Sequence, residues 1–166
     1  MNAIDYLVTQ HRSLETLLGR VLDSNDADTQ ALFARAADEL TVHIASEEQV
    51  FYPAVQACRT EDVLLESLEE HLSLKRLLAD LLELSPAERT FEPKFKVLKE
   101  QAEHHHKEEE EHLFPAVRKM LDANRLEELA RQMQALQKGL RLEGAPREAV
   151  AEQTGQAAPL QGGQSS

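Results

Sequence analysis

The chain has 166 residues, a formal net charge of −12 and no tryptophan. This length suits one domain, since domains run roughly 100–200 residues, and its many Leu, Ala, Glu and Gln residues favour helices over sheets. An acidic surface repels phosphate backbones and anionic lipid headgroups, so we expect neither a nucleic-acid partner nor a membrane partner.

Apolar residues that recur every three to four positions predict four long helices and a shorter fifth one. Asp28 is the expected cap of the second helix and Thr60 that of the third. Pro53 is expected to kink or shorten the end of the second helix. The predicted helices are Ala3–Leu22, Thr29–Cys58, Glu61–Leu84, a fourth that follows Pro93 and runs to about Asp122, and Arg125–Leu142.

The predicted fold class is all-α, an antiparallel up-down-up-down four-helix bundle with a short C-terminal fifth helix. The bundle is expected over residues 1–122 and the amphipathic fifth helix over 123–143. Residues 144–166 have no sustained period and are rich in Gly, Pro, Gln, Ala and Ser, so we predict a disordered tail there. One cysteine and no basic-then-apolar leader favour a cytoplasmic protein, expected to be a monomer or weak homo-oligomer.

Two parts of the chain repeat one another. His43–Val55 aligns without gaps with His105–Val117, and the His, both Glu and the final Pro-Ala-Val match. The preceding helices also match, His11–Leu18 with His71–Leu78. Each half is therefore predicted to be a helical hairpin, with a His on its first helix and His-x-x-x-Glu on its second. Two such hairpins around a pseudo-two-fold axis make a four-helix bundle.

The repeated motifs fall on the predicted buried faces of the helices. His-x-x-x-Glu places an imidazole and a carboxylate one turn apart on one face. A buried ionised carboxylate costs several kcal/mol unless it is paired or coordinates a metal. Imidazole with carboxylate suits iron, zinc or manganese, and carboxylates can bridge two ions in a bundle core. The candidate metal ligands are His11, His43, Glu47, His71, His105 and Glu109.

Three further histidines lie near these candidates. His104 and His106 flank His105. The repeat aligns them with apolar residues of the first half, so we expect packing or rim roles, with ligation in a shifted register as the alternative. His112 follows Glu109 by three residues on the same helix face, and it is a candidate hydrogen-bond partner of the ligands.

Other polar side chains beside the candidates have two interpretations each. Glu48 and Glu110 either contact the ligands or are simply solvated. Tyr6 and Tyr52 either line the site or pack in the core, and we expect core packing.

The combined motifs resemble the hemerythrin family, specifically its HHE cation-binding domains, over about Ala3 to Met120. The resemblance implies two non-haem iron ions joined by an oxo or hydroxo bridge. It also implies binding of, or reaction with, oxygen, peroxide or nitric oxide in an oxidative-stress or redox response. The implied terminal ligands are His11, His43, His71 and His105, and the implied bridging ligands are Glu47 and Glu109.

The chain departs from oxygen-carrying hemerythrins at two positions. Those proteins have a further His four residues after the third-helix His, where this chain has Lys75, and an Asp where it has Glu110. One iron would therefore have fewer protein ligands. This favours redox turnover, peroxide reaction, sensing or iron handling over reversible oxygen storage. Lys75 is expected either to reach solvent or to lie near the metals as a cation.

The sequence leaves both an enzyme and a non-catalytic protein as interpretations. The alternative function is an iron-binding sensor or buffer without catalysis. The His–Glu pairs on buried faces disfavour a metal-free interaction bundle. Six inward ligands also leave less room for a substrate than the open three-ligand site of a zinc hydrolase.

Overall fold

The computed structural model describes residues 1–58 and 60–161, and within them four long helical segments form a bundle with a further helix along one side. No strand occurs in these residues, so the predicted all-α bundle is confirmed. The α-helices are α1 (Ala3–Asp23), α2 (Asp26–Ser46), α3 (Tyr52–Val55), α4 (Glu61–Leu82), α5 (Phe91–Glu108), α6 (Phe114–Met120) and α7 (Ala123–Leu142).

Two of the expected helix caps differ in the structure. Asn25, rather than Asp28, caps α2, because its side chain accepts a hydrogen bond from the Asp28 backbone N–H at 3.2 Å. Thr60 precedes α4 but makes no side-chain cap, since its hydroxyl instead donates to the Val55 carbonyl at 2.7 Å. Asp28 lies in the first turn of α2, where a negative charge is favourable beside the helix dipole.

π-helical turns, Glu47–Phe51 and Glu109–Leu113, join α2 to α3 and α5 to α6. In each turn a backbone N–H donates to the carbonyl five residues earlier, which is that of a candidate metal ligand. A proline follows each turn by two residues. Proline lacks an N–H and its ring crowds the carbonyl four residues before it, and a widened turn relieves this crowding. The disturbance expected at Pro53 is therefore a π-turn inside a continuous helical segment.

The buried apolar residues form two clusters, one on either side of a polar layer. On α1, Leu7 belongs to one cluster and Leu14 to the other, and the buried His11 lies between them in sequence. The same order holds on α4, where Leu68 and Leu74 belong to different clusters and His71 lies between them. The bundle therefore holds its buried histidines in the middle of its length, with aliphatic and aromatic side chains packed on both sides of them.

Helix α7 packs against α1 and α2 along the side of the bundle. Its buried face includes Leu129 and Met133, which join the apolar cluster that contains Leu7. The fifth helix expected over 123–143 is thus present as α7. No helix in the ranges 1–58 and 60–161 is long and apolar enough to cross a membrane.

The segment after α7 departs from the expected disordered tail. Gly144 turns the chain with a φ of +141°, and Pro146–Gln153 forms a 3₁₀-helix. Val150 is buried in the apolar cluster of Leu14, and Arg147 donates to Asp38 at 2.8 Å. These contacts, together with small and aliphatic side chains farther along that pack against the cluster of Leu7, hold the segment without creating a periodic pattern. Residues 162–166 of the predicted tail lie outside the described residues.

Candidate metal centre

The six candidate ligands lie together in the polar layer of the bundle. His11 comes from α1, His43 from α2, His71 from α4 and His105 from α5, while the carboxylates begin the two π-turns. None of the six is more than 2% exposed. The structure therefore brings every predicted ligand to one buried site.

The imidazole Nε2 atoms point toward the two carboxylates. His11 Nε2 lies 3.2 Å from Glu109 Oε1, and His43 Nε2 lies 3.4 Å from Glu47 Oε1. His71 Nε2 lies 3.1 Å from both Glu47 Oε1 and His105 Nε2. Among the six candidate ligands, two groups have their donor atoms within 4.8 Å of one another: His11, His43, Glu47 and Glu109; and Glu47, His71 and His105. Glu47 belongs to both groups, so its carboxylate is shared between them.

Several of these donor atoms are buried without a hydrogen bond inside the described part of the chain. They are His11 Nε2, His43 Nε2, Glu47 Oε2 and Glu109 Oε1. His11 Nε2 and Glu109 Oε1 face each other without hydrogen-bond geometry. An unsatisfied buried polar atom costs about 1–3 kcal/mol. A cation at this position would use these lone pairs, so the site fits a metal.

The buried candidate ligands differ in how readily they hold a proton when no metal is bound. Burial and the negative charge of Glu109 raise the pKa of the Glu47 carboxyl. Burial acts in the same direction on Glu109, but the positive charge of His105 and hydrogen bonds outweigh it and hold its pKa well below the usual range. For His105, burial is outweighed by Glu109 and other carboxylates, so its pKa lies well above the usual value. The metal-free site therefore holds protons that a bound cation would displace.

Tyr52 lines the site, which was the less favoured of its two interpretations from the sequence. Its fully buried hydroxyl donates to Glu109 Oε2 at 2.7 Å and lies 3.3 Å from His71 Nε2 and 3.4 Å from His105 Nε2. Burial and the two nearby carboxylates raise its pKa well above the usual value, so the phenol stays protonated. The repeat places Phe114 at the equivalent position, stacked beside His11. At this position the two halves therefore differ by one hydroxyl group.

Each ligand histidine has a hydrogen-bond partner at its outer nitrogen, Nδ1. An acceptor there keeps the proton on Nδ1 and leaves the Nε2 lone pair facing the site. The four contacts are His11 with Glu110 at 2.7 Å, His43 with Gln10 at 2.8 Å, His71 with Glu48 at 2.9 Å and His105 with Glu70 at 2.7 Å.

These contacts follow the internal repeat. Glu48 and Glu110 are the residues after the two candidate carboxylates, and each reaches the first-helix histidine of the other half. Gln10 and Glu70 are the residues before the two first-helix histidines, and each reaches the second-helix histidine of its own half. Of the two interpretations for Glu48 and Glu110, the structure supports contact. The sequence analysis did not identify Gln10 and Glu70 as histidine partners. Both precede the first-helix histidine of their half, and this equivalent position in the repeat could have indicated them.

Lys75 takes neither of its expected positions. It is buried, and Nζ donates to Glu48 Oε1 at 2.8 Å instead of facing the ligand atoms. Burial alone would raise the pKa of the Glu48 carboxyl, but hydrogen bonds from His71 and Lys75 keep it below the usual value. The lysine therefore belongs to the outer contacts of His71, and the group of Glu47, His71 and His105 receives no ligand from it.

The remaining histidines lie outside the six-residue set. The side chains of His104 and His112 are 65% and 60% exposed and lie near Glu108, so the role suggested for His112 as a partner of the ligands is not seen. His106 is buried and stacks on His11 with ring centroids 3.9 Å apart and an interplanar angle of 8°. His106 has a donor atom within 4.8 Å of others on His11 and His43. Parallel stacked rings direct their lone pairs side by side rather than at one ion, so packing is the role that the geometry favours.

Comparisons with known proteins agree with this arrangement. Residues 2–117 match the family model described as the hemerythrin HHE cation binding domain. A crystal structure of a hemerythrin HHE cation binding domain-containing protein from Mycobacterium kansasii is similar to this chain, with a TM-score of 0.79 and 25% identity, covering 92% of this chain and 98% of that one. A protein from Nostoc sp. named DNA nickase is 30% identical over 136 residues, which is 81% of this chain and 39% of that protein. This chain therefore spans less than half the length of the Nostoc protein.

Proposed function

Because this chain belongs to the hemerythrin HHE cation-binding domain family and gathers its histidines and glutamates as a group able to hold metal, we propose that it binds two iron ions and reacts with a small oxidant. One ion would be held by His11, His43, Glu47 and Glu109, and the other by Glu47, His71 and His105. Glu47 would serve both ions.

The observation that carries this proposal is the composition of the second group. Two imidazoles and one carboxylate are the donor set of non-haem iron sites that keep open positions for a ligand. Lys75 occupies the place where oxygen-carrying hemerythrins have a further histidine, and it turns away to Glu48. This group therefore retains three protein donors, which supports a reactive ion in preference to a closed structural one.

Burial of the site limits what can reach it. None of the six candidate ligands is more than 2% exposed, so a ligand of the size of oxygen, hydrogen peroxide or nitric oxide fits better than an organic substrate. Iron in such a site, when bound, supplies reversible one-electron chemistry. Tyr52 holds its proton beside His71 and His105 and donates it to Glu109 in the metal-free protein. If a bound cation took up the Glu109 carboxylate, the same proton would be free for a hydrogen bond to a small ligand.

The name of the Nostoc relative describes an activity on DNA, but nothing in this site favours that activity here. The chain carries a net charge of −12, which opposes binding to a phosphate backbone. We therefore propose a small-molecule ligand and no nucleic-acid partner.

The test is a peroxide assay on iron-loaded protein. Hydrogen peroxide is added, its consumption is followed, and the ultraviolet-visible spectrum is recorded before and after. Disproportionation of many equivalents of peroxide per chain to water and oxygen, which needs no added reductant, and its loss in Glu47→Gln are the expected result. Tightly bound iron whose spectrum does not change with oxygen, peroxide or nitric oxide would favour the alternative, an iron sensor or buffer without catalysis. A chain that takes up no iron would overturn both.

A further inference from the structure

His43 differs from the other three ligand histidines in its outer hydrogen-bond partner. His11, His71 and His105 each face a carboxylate at Nδ1, whereas His43 faces the side-chain amide of Gln10 at 2.8 Å. A carboxylate only accepts hydrogen bonds, so by itself it fixes the proton on Nδ1. An amide can present either its oxygen or its nitrogen, and these two orientations select opposite tautomers of the neutral imidazole.

The orientation of the Gln10 amide is set by a residue of α7, Gln137. The two amides bond to each other twice: Gln10 Nε2 donates to Gln137 Oε1 at 2.7 Å, and Gln137 Nε2 donates to Gln10 Oε1 at 3.0 Å. Gln137 is fully buried, and its Nε2 also donates to Ser46 Oγ at 2.9 Å. The Tyr6 hydroxyl donates to Gln137 Oε1 at 2.8 Å and accepts from Gln10 Nε2 at 3.0 Å. Every donor in this cluster meets an acceptor.

Turning both amides over would leave the pair bonded, so a further contact must decide between the two arrangements. Arg141 supplies it, because its guanidinium can only donate and its Nη2 lies 3.4 Å from Gln137 Oε1. Arg141 is itself held by Glu39, whose Oε2 accepts from Nη2 at 2.7 Å. With the oxygen of Gln137 fixed toward Arg141, Gln10 turns its own oxygen to His43.

We propose that Gln137 is a positioning residue for the metal centre, which acts through Gln10 to hold His43 in the tautomer that turns the Nε2 lone pair toward Glu47. The His43 Nε2 atom is buried without a hydrogen bond among the described residues, so in this tautomer its lone pair is free for a cation. Helix α7 thereby supports one of the two metal groups and not the other.

The inference about metal binding rests on the proposed function, whereas the inference about the tautomer does not. The first test is therefore nuclear magnetic resonance of the metal-free protein with ¹⁵N-labelled histidine. The wild type is expected to show the His43 proton on Nδ1. Gln137→Leu is expected to show proton density on Nε2, and Arg141→Met a smaller shift in the same direction.

The second test is metal binding by the same variants. Gln137→Leu is expected to lower the affinity for one of the two ions by about tenfold or more, which is the usual effect of losing the hydrogen-bond partner of a metal ligand. The affinity for the other ion should not change. Met133→Ala is the matched control, since Met133 is a buried apolar residue of α7 outside the amide cluster. It is expected to destabilise the helix packing and keep both ions.

The two tests together decide whether Gln137 positions His43. An unchanged His43 tautomer and two wild-type ions in Gln137→Leu would overturn the inference, as would an equal loss of metal in Met133→Ala. If Gln137→Leu does not fold, Arg141→Met tests the inference instead, because Arg141 is exposed. An unchanged His43 tautomer in Arg141→Met would show that the Gln10–Gln137 cluster does not orient His43. A wild type that binds no metal would end the proposed function, and the tautomer measurement would still decide the role of Gln137.

Discussion

Lys75 Nζ donates a hydrogen bond to Glu48 Oε1 at 2.8 Å, and the other oxygen of that carboxylate faces His71 Nδ1 at 2.9 Å. The lysine therefore neutralises a buried carboxylate that orients a candidate ligand. A histidine here could offer a ligand to a metal, whereas this lysine leaves the group of Glu47, His71 and His105 open.

Lys75→Met is expected to lower the free energy of unfolding by roughly 3 kcal/mol, because it leaves the buried Glu48 charge without its cation. Urea denaturation of the metal-free protein at neutral pH measures this. Lys94→Met is the matched control, since Lys94 pairs with the largely exposed Asp80 at 3.2 Å, and such pairs contribute about 1 kcal/mol or less. Equal effects of the two substitutions would show that the buried Lys75–Glu48 pair contributes no more to stability than the exposed Lys94–Asp80 pair.

Glu47→Gln is expected to abolish binding of both ions while leaving the metal-free fold as stable or more stable. Glu47 belongs to both donor groups, so its loss affects both. An uncharged amide also removes the cost of a second buried carboxylate beside Glu109, the cost that raises the pKa of Glu47. Metal analysis and urea denaturation are measured together. Glu108→Gln, at a side chain that is 41% exposed and next to Glu109 in sequence, should leave the metal content unchanged. A Glu47→Gln protein that still holds two ions would refute the bridging role.

Tyr52→Phe is expected to lower the stability of the metal-free protein by about 1–3 kcal/mol, because Glu109 Oε2 loses the hydroxyl that donates to it at 2.7 Å. The difference from wild type should shrink after metal loading, since a bound cation would satisfy the carboxylate instead. Thermal unfolding with and without metal checks this. A difference that is the same in both forms would place the hydroxyl outside the metal site.

Metal affinity is expected to rise with pH through the neutral range. Burial lowers the pKa of His11, His71 and His105, but the nearby carboxylates outweigh it, so each pKa lies above the usual 6.5. Because each pKa is raised, these side chains are still largely doubly protonated imidazolium ions at pH 6.5 in the metal-free protein. A cation must displace the second ring proton in order to bind. Competition with a chelator measures the metal affinity between about pH 6 and pH 8, a range that begins just below the usual histidine pKa. An affinity that is constant or falls over this range would contradict the assignment of these imidazoles as ligands.

Val150→Ala is expected to lower the free energy of unfolding by about 1–2 kcal/mol, because it removes two buried carbon atoms from the apolar cluster. The measurement is urea denaturation of the full chain. Ala151→Gly in the neighbouring exposed position of the same 3₁₀-helix is the control for local backbone effects. No change in Val150→Ala would mean that the segment after α7 does not contribute to the fold in solution.

The helices and the six candidate ligands could be predicted from the sequence because both depend on periodicity within one helix. A histidine at a position such as His71, on the apolar stripe of its helix, must point inward once the helix packs. The repeat then places two such hairpins around one layer. The predicted metal residues are brought together for this reason, and their binding of metal stays a prediction.

The contacts between helices could not be predicted as readily. Glu70 and Gln10 reach their histidines only because of the rotation of one helix against its neighbour, which the pattern along a single helix does not specify. The hydroxyl of Tyr52 enters the site because the π-turn before it adds a residue to the helix turn. The segment around Val150 was assigned to a disordered tail because a single buried residue produces no period.

The most direct test of the central claim is the iron content of the chain after production in iron-supplemented medium, measured by mass spectrometry against protein concentration. About two irons per chain in the wild type, as for two-ion sites in bundle cores, and almost none in Glu47→Gln is the predicted result. No bound metal, or a single zinc ion that Glu47→Gln retains, would contradict a di-iron centre built on this shared carboxylate.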